Sequence, residues 1–178
     1  GSDLVVVPGL EITTSEEIHM LALFPDLEAA AAMQQQVYGR LQPGENDEDV
    51  FGIQVVANHK DEVEKIEHRL LIGSTTFVLE ELVDAVHELN GAAVAAHVDR
   101  PSYSIPAQLG MIPPDLAIDR IELSFRAGPE DVKQIAGAEI YTIIRSSDAH
   151  QLDQIGQAVT ELDVEELSSR GVCEALKR

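Results

Sequence analysis

Apolar positions along the chain follow two alternating rhythms. Runs of strand length, "DLVVVPGLEITT", "EIHMLALF", "FGIQVVA", "AAVAAH", "RIELS" and "IYTIIRSS", are interleaved with stretches of helical spacing. The helical patterns are "DLEAAAAMQQQVYGRL", with Asp26 placed to cap it, "DEVEKIEHRLL" as a short helix, and "VLEELVDAVHELNG", closed by Asn90-Gly91. Three more follow at "PEDVKQIAG", "LDQIGQAVTEL" and "DVEELSSRGVCEALK". The first strand carries a kink at Pro8-Gly9, and "PGENDED" reads as an acidic surface loop. The later strands are short and uniformly apolar, which predicts parallel βαβ units and an α/β fold, either a doubly wound sheet or a (β/α) barrel. No repeat, low-complexity tract or long linker interrupts residues 1–178, so the chain reads as one domain.

Composition narrows the function classes. Hydrophobic residues make up 44%, enough for a core. No apolar run approaches the roughly 20 residues that span a bilayer, and no basic-then-apolar signal opens the chain. Cys173 is the only cysteine, which excludes a disulfide framework and a thiolate zinc cluster. A soluble, cytoplasmic protein without membrane partners is expected. The charge is −20, from 32 acidic and 12 basic residues. Such a surface repels nucleic-acid backbone, so no nucleic-acid binding surface is expected. A small phosphorylated substrate stays compatible, because a metal site supplies local positive charge.

Candidate chemistry gathers at strand ends. The first two strands read as a hairpin around "TTSEE". With the loop at Thr13 to Glu17, Glu11 faces His19 across the pair, as a joint ligand set or as an ordinary cross-strand pair. His97 ends a small-residue strand and is followed by Asp99, Arg100 and Pro101, where parallel α/β folds collect functional groups. The alternative for His97 is a hydrogen-bonded structural residue. Arg100 suits a phosphate through its planar fork of donors, or a surface ion pair. In "IYTIIRSSDAH", Asp148 and His150 lie two apart and project to one side of an extended segment, as metal ligands or as part of a helix-capping turn. His59, His68 and His87 sit in polar or acidic stretches and read as structural or solvated. No phosphate-binding glycine loop and no G-x-S-x-G elbow is present. Two carboxylates and three imidazoles remain: Glu11, His19, His97, Asp148 and His150. That is the ligand mix of a hydrolytic zinc, manganese or iron centre.

These stretches resemble the PHP superfamily, the polymerase and histidinol phosphatase domains, most closely its stand-alone phosphoesterases. "VVPGLEITTSEEIHMLALF", "AAHVDRPSYS" and "RSSDAHQLDQIG" occur in the family's order, with Val98 where proline is usual. The resemblance implies a distorted (β/α)7 barrel holding up to three divalent metal ions (Mn, Zn or Fe). The implied activity is hydrolysis of a small phosphomonoester or nucleotide by metal-activated hydroxide. It places Glu11 as the bridging carboxylate, His19 and His97 with it on one metal, Asp148 and His150 on the others, and Arg100 near the substrate phosphate. The family's opening His-x-His strand has no counterpart in "GSDLVVV". The expectation is therefore an N-terminally truncated fragment of an incomplete barrel, holding fewer metals. Its exposed edges are covered by dimerisation or by opening of the sheet. A non-catalytic metal- or ligand-binding regulatory module is the alternative function.

Overall fold

The computed structural model describes residues 4–178. Strands β1 (Gly9–Thr13) and β2 (His19–Leu23) form the expected antiparallel hairpin. Its register differs by two residues from the expected one: Glu11 pairs with Leu21 and Thr13 with His19. The loop closes later because Ile18 turns back on Thr14, whose N–H donates to the Ile18 carbonyl at 2.9 Å, with Glu17 in the left-handed region at φ 61°. An even shift leaves Glu11 and His19 on the same face, so the pair survives as diagonal neighbours.

Helix α1 (Leu27–Arg40) is capped by Asp26, whose carboxylate accepts from the Ala29 N–H at 2.9 Å. The short α2 (Glu48–Phe51) leads into a peripheral hairpin, β3 (Val55–Ala57) with β4 (Val63–Ile66). The helix expected over "DEVEKIEHRLL" is thus a strand. The Asn58 side chain accepts from the Lys60 N–H at 2.8 Å and Asp61 sits at φ 62°. That tight turn returns the β-branched Val63 and Ile66 onto Ala57 and Val55.

Helix α3 (Leu79–Glu88) buries Leu79, Leu82, Val83 and Val86. Its first turn is satisfied by the β1–β2 loop, where Glu16 accepts from the Leu79 N–H at 3.0 Å. The expected stop at Asn90-Gly91 is observed. Asn90 is left-handed at φ 58°, and a Cβ on Gly91 would lie 2.8 Å from Phe24 and Val86. Strand β5 (Ala92–Ala95) is buried throughout. Its small side chains admit α3 on one face and let α6 (Ser169–Leu176) pack close as well. Helix α4 (Ile105–Leu109), strand β6 (Arg120–Leu123), the short α5 (Pro129–Val132) and strand β7 (Ile143–Arg145) complete the order.

The main sheet runs β1-β2-β5-β6-β7, antiparallel through β2–β5 and parallel from β5 to β7. The α/β class and the parallel units are as expected, but the sheet is open and no (β/α)7 barrel closes among the described residues. β1 lies at one edge and β7 at the other, without pairing to each other. The helix expected over "LDQIGQAVTEL" is also absent. One 3-10 turn, Leu152–Gln154, precedes Gly156 at φ 82°. Ile155 and Val159 are exposed, so no apolar face exists to hold a helix there.

Candidate metal centre

Adjacent strands bring three side chains together. Glu11 comes from the middle of β1, His19 from the start of β2, and His97 from the residues just beyond β5, next to β2 in the sheet. One ligand atom from each lies within 4.8 Å of the other two. His19 Nδ1 is 3.0 Å from Glu11 Oε1 and His97 Nε2 is 3.4 Å from the same oxygen. The imidazoles meet edge to face with centroids 5.3 Å apart. The hydrogen bond from His19, then that from His97, holds the Glu11 carboxyl well below the ordinary carboxylate range, against the opposing effect of burial.

The backbone around His97 is held in an unusual shape. His97 sits at φ 30°, a left-handed conformation that costs about 1–3 kcal/mol for a side chain of this kind. Several bonds fix it there. Ala96 N–H donates to the His19 carbonyl (3.2 Å), Val98 N–H to the Glu122 carbonyl (2.9 Å), and Arg100 N–H to the His97 carbonyl (2.9 Å). The His97 N–H itself donates to the Glu122 carboxylate at 3.0 Å. Glu122 is buried, and its other oxygen accepts from the Ser146 hydroxyl at the end of β7. Tyr103, also left-handed at φ 57°, stacks on the His19 ring with 4.6 Å between centroids and accepts the His19 N–H at its carbonyl.

Sequence reasoning did not single out Glu122 or Tyr103. A signal for Glu122 existed: "RIELS" places an acid inside a strand whose neighbours demand full burial, and buried acids are rare unless paired.

The donor set fits a divalent cation: two imidazoles and a carboxylate at ligand spacing, with His97 Nδ1 buried and without a hydrogen-bond partner among the described residues. A cavity of about 150 Å³, lined by Leu71, Ile72 and Gly73 among others, reaches Glu11 and His19.

Asp148 and His150 do not join this cluster. Asp148, at φ 45°, forms an ion pair with Arg100 at 2.6 Å. His150 is exposed; its Nδ1 turns to the Asp148 carbonyl at 2.9 Å and lies 3.8 Å from the Asp148 carboxylate. Neither residue caps a helix, since only the 3-10 turn follows and it is Gln154 that accepts from the His150 N–H. Arg100 links the two groups in the chain, standing three residues past His97 and bound to Asp148. His87, expected to be structural or solvated, is tied to Asp119 at 2.9 Å.

Among the described residues, no helix is long and apolar enough to cross a membrane. No curated protein matches the sequence. The PHP-associated family model (PHP_C) matches residues 133–178. Two solved structures share the fold. One is the lesion-specific endonuclease PfuEndoQ from Pyrococcus furiosus, at TM-score 0.66 and 18% identity, covering 95% of this chain and 38% of that one. The other is endonuclease Q in complex with a 27-mer duplex substrate carrying an abasic lesion at the active site, at TM-score 0.68 and 18% identity with the same coverage.

That second structure overturns the expectation that a chain of this kind has no nucleic-acid binding surface. The expectation rested on net charge, which is a sum over the whole surface, whereas binding depends on the local field. Here Arg100, Arg126 and Arg145 stand just beyond or at the end of β5, β6 and β7. The PHP-associated match covers the last quarter of the chain, including the Asp148–His150 stretch, and the two solved structures show that the fold is shared.

Proposed function

We propose that this chain carries the metal-binding part of a phosphoester hydrolase whose substrate is a nucleic-acid phosphodiester. The observation behind the reading is the convergence of Glu11, His19 and His97. Glu11 and the two imidazoles would hold a divalent zinc, manganese or iron ion. Such an ion, when bound, polarises a phosphoryl oxygen and lowers the pKa of a water molecule. The chain's own residues do the rest. The ring of Tyr103 fixes His19, the Glu122 carboxylate fixes the His97 backbone, and the sheet holds all three ligand side chains on one rigid face. Arg100, held by Asp148, is the guanidinium that would balance phosphate charge in this reading.

The substrate class follows the fold neighbours, both endonucleases, one of them in complex with a duplex substrate carrying an abasic lesion. The chain spans 38% of their length, so the activity is proposed for the protein that carries this domain rather than for residues 1–178 by themselves. The small phosphomonoester first expected is the competing substrate. The non-catalytic metal-binding module is the second reading, and it is favoured by one observation: Asp148 is spent on Arg100 and His150 faces solvent.

Hydrolysis assays with added Mn²⁺ or Zn²⁺ separate the three. Cleavage of an abasic duplex and of bis(p-nitrophenyl) phosphate, lost in Glu11→Gln, supports the diesterase. Turnover of p-nitrophenyl phosphate alone indicates the monoesterase. Metal uptake without turnover of any of them indicates the binding module.

A further inference from the structure

Beside the triad lies a larger concavity that the metal reading leaves unused. Two adjoining cavities, of about 530 and 350 Å³, share Asp99, Arg100, Pro101 and Arg126. They open at the ends of β5 and β6, beginning one residue beyond His97 at Val98.

The charges in this groove are unequally occupied. Both oxygens of Asp99 are taken by Ser124, through its N–H and its hydroxyl, each at 2.7 Å. Asp131 accepts the Gly128 N–H at 2.6 Å. Arg100 is paired with Asp148. Arg126 is different. Ten of the 12 Lys and Arg side chains in the chain have a hydrogen-bond or ion-pair partner; among the described residues, Arg126 and Lys60 have none. In a chain with 32 acids, a guanidinium left without an acceptor inside a groove is a selective feature.

Arg126 is also held in place. Its backbone N–H donates to the Ser124 hydroxyl at 3.3 Å, and its guanidinium lies 5.2 Å from the centroid of the Phe125 ring. Its planar donor fork matches a phosphate rather than a single oxygen.

We propose that Arg126 is an anchor for one backbone phosphate of a DNA strand, seated in the groove beside Arg100 and away from the reacting ester. The proposal rests on the nucleic-acid reading of the substrate and extends it. A small phosphomonoester has no second phosphate to offer such a site, so the anchor selects polymers.

The test uses the full chain in EDTA, so that metal chemistry is silent, and a fluorescein-labelled duplex with one abasic site. Anisotropy titrations over a salt series give affinity and salt slope. Arg126→Ala is expected to weaken binding about tenfold and to lower the salt slope by about one, while Arg126→Lys keeps the slope. Lys60→Ala, at the tip of the peripheral hairpin, is expected to change neither. Unchanged melting of the exposed Arg126→Ala variant shows that the fold is intact. No binding by the native chain, an unchanged slope in Arg126→Ala, or equal losses in Arg126→Ala and Lys60→Ala each overturn the anchor. Arg126-dependent binding without cleavage in the metal-supplemented assays keeps the anchor and removes the hydrolase.

Discussion

Glu11, His19 and His97 form one group of polar strand-end residues, and Asp148 with His150 forms another. The two look alike in the sequence and behave differently in the fold. The first group stands on β1, β2 and the end of β5, neighbours in the sheet with buried side chains between them. The second follows β7, a three-residue edge strand that is only half buried, and enters a segment with one 3-10 turn. A ligand set converges where packed neighbours hold its backbone, as the interior strands β2 and β5 hold His19 and the approach to His97, and as β2 holds the edge strand β1 under Glu11. Where they do not, each polar group takes the nearest partner, as Asp148 takes Arg100.

The comparison can be broken first at its base, in stability. Ile121 is buried in the central parallel part of the sheet, and Ile121→Ala is expected to cost about 3 kcal/mol in urea unfolding. Ile155→Ala, in the exposed segment beyond His150, is expected to stay within about 0.5 kcal/mol. Similar losses would mean that the second region is packed as firmly as the first.

The next effect concerns the support of His97. Glu122→Ala leaves the buried His97 N–H without its acceptor, and divalent metal affinity is expected to fall at least tenfold, the scale seen for groups that orient ligands. Calorimetric titration at fixed pH reads this directly, and an unchanged affinity would remove Glu122 from the site.

A smaller effect appears in acid. The Glu11 carboxyl is held below its ordinary value of 4.5, so its contribution to stability is present above that pH and is lost as pH falls below it. Glu11→Gln is expected to be less stable than the native chain at pH 7, by about 1 kcal/mol given its partial exposure, and equal to it in strong acid. A deficit that stays constant down to the lowest pH would contradict the hydrogen-bonded carboxylate.

The smallest effect is expected at His150. Its exposed ring touches only its own loop, so His150→Ala is expected to change metal affinity by less than about twofold. A loss matching that of His97→Ala would merge the two groups into one site.

Much of this was legible in the sequence. The hairpin, the Asp26 cap, the Asn90-Gly91 stop and the small-residue strand β5 follow from local patterns that agree with their packing. Glu11 and His19 could be named because period-two alternation survives a register error of two, and His97 because it follows a small-residue strand. Other features depend on tertiary context. Val63 and Ile66 suit either a helix or a strand, and only the Asn58 turn decides. The "LDQIGQAVTEL" pattern has helical spacing with nothing to pack against. The role of Glu122 arises from a backbone N–H on another strand, which no spacing reveals. The sum of charges hid Arg126, because a total cannot show which cation lacks a partner.

The most direct measurement is the titration of the metal-free native chain with Mn²⁺ or Zn²⁺, beside His19→Ala, His97→Ala and Asp148→Asn. One high-affinity ion per chain, lost in both histidine variants and retained in Asp148→Asn, is the expected result. Binding that persists without His97, or that disappears with Asp148, would contradict a centre built on Glu11, His19 and His97.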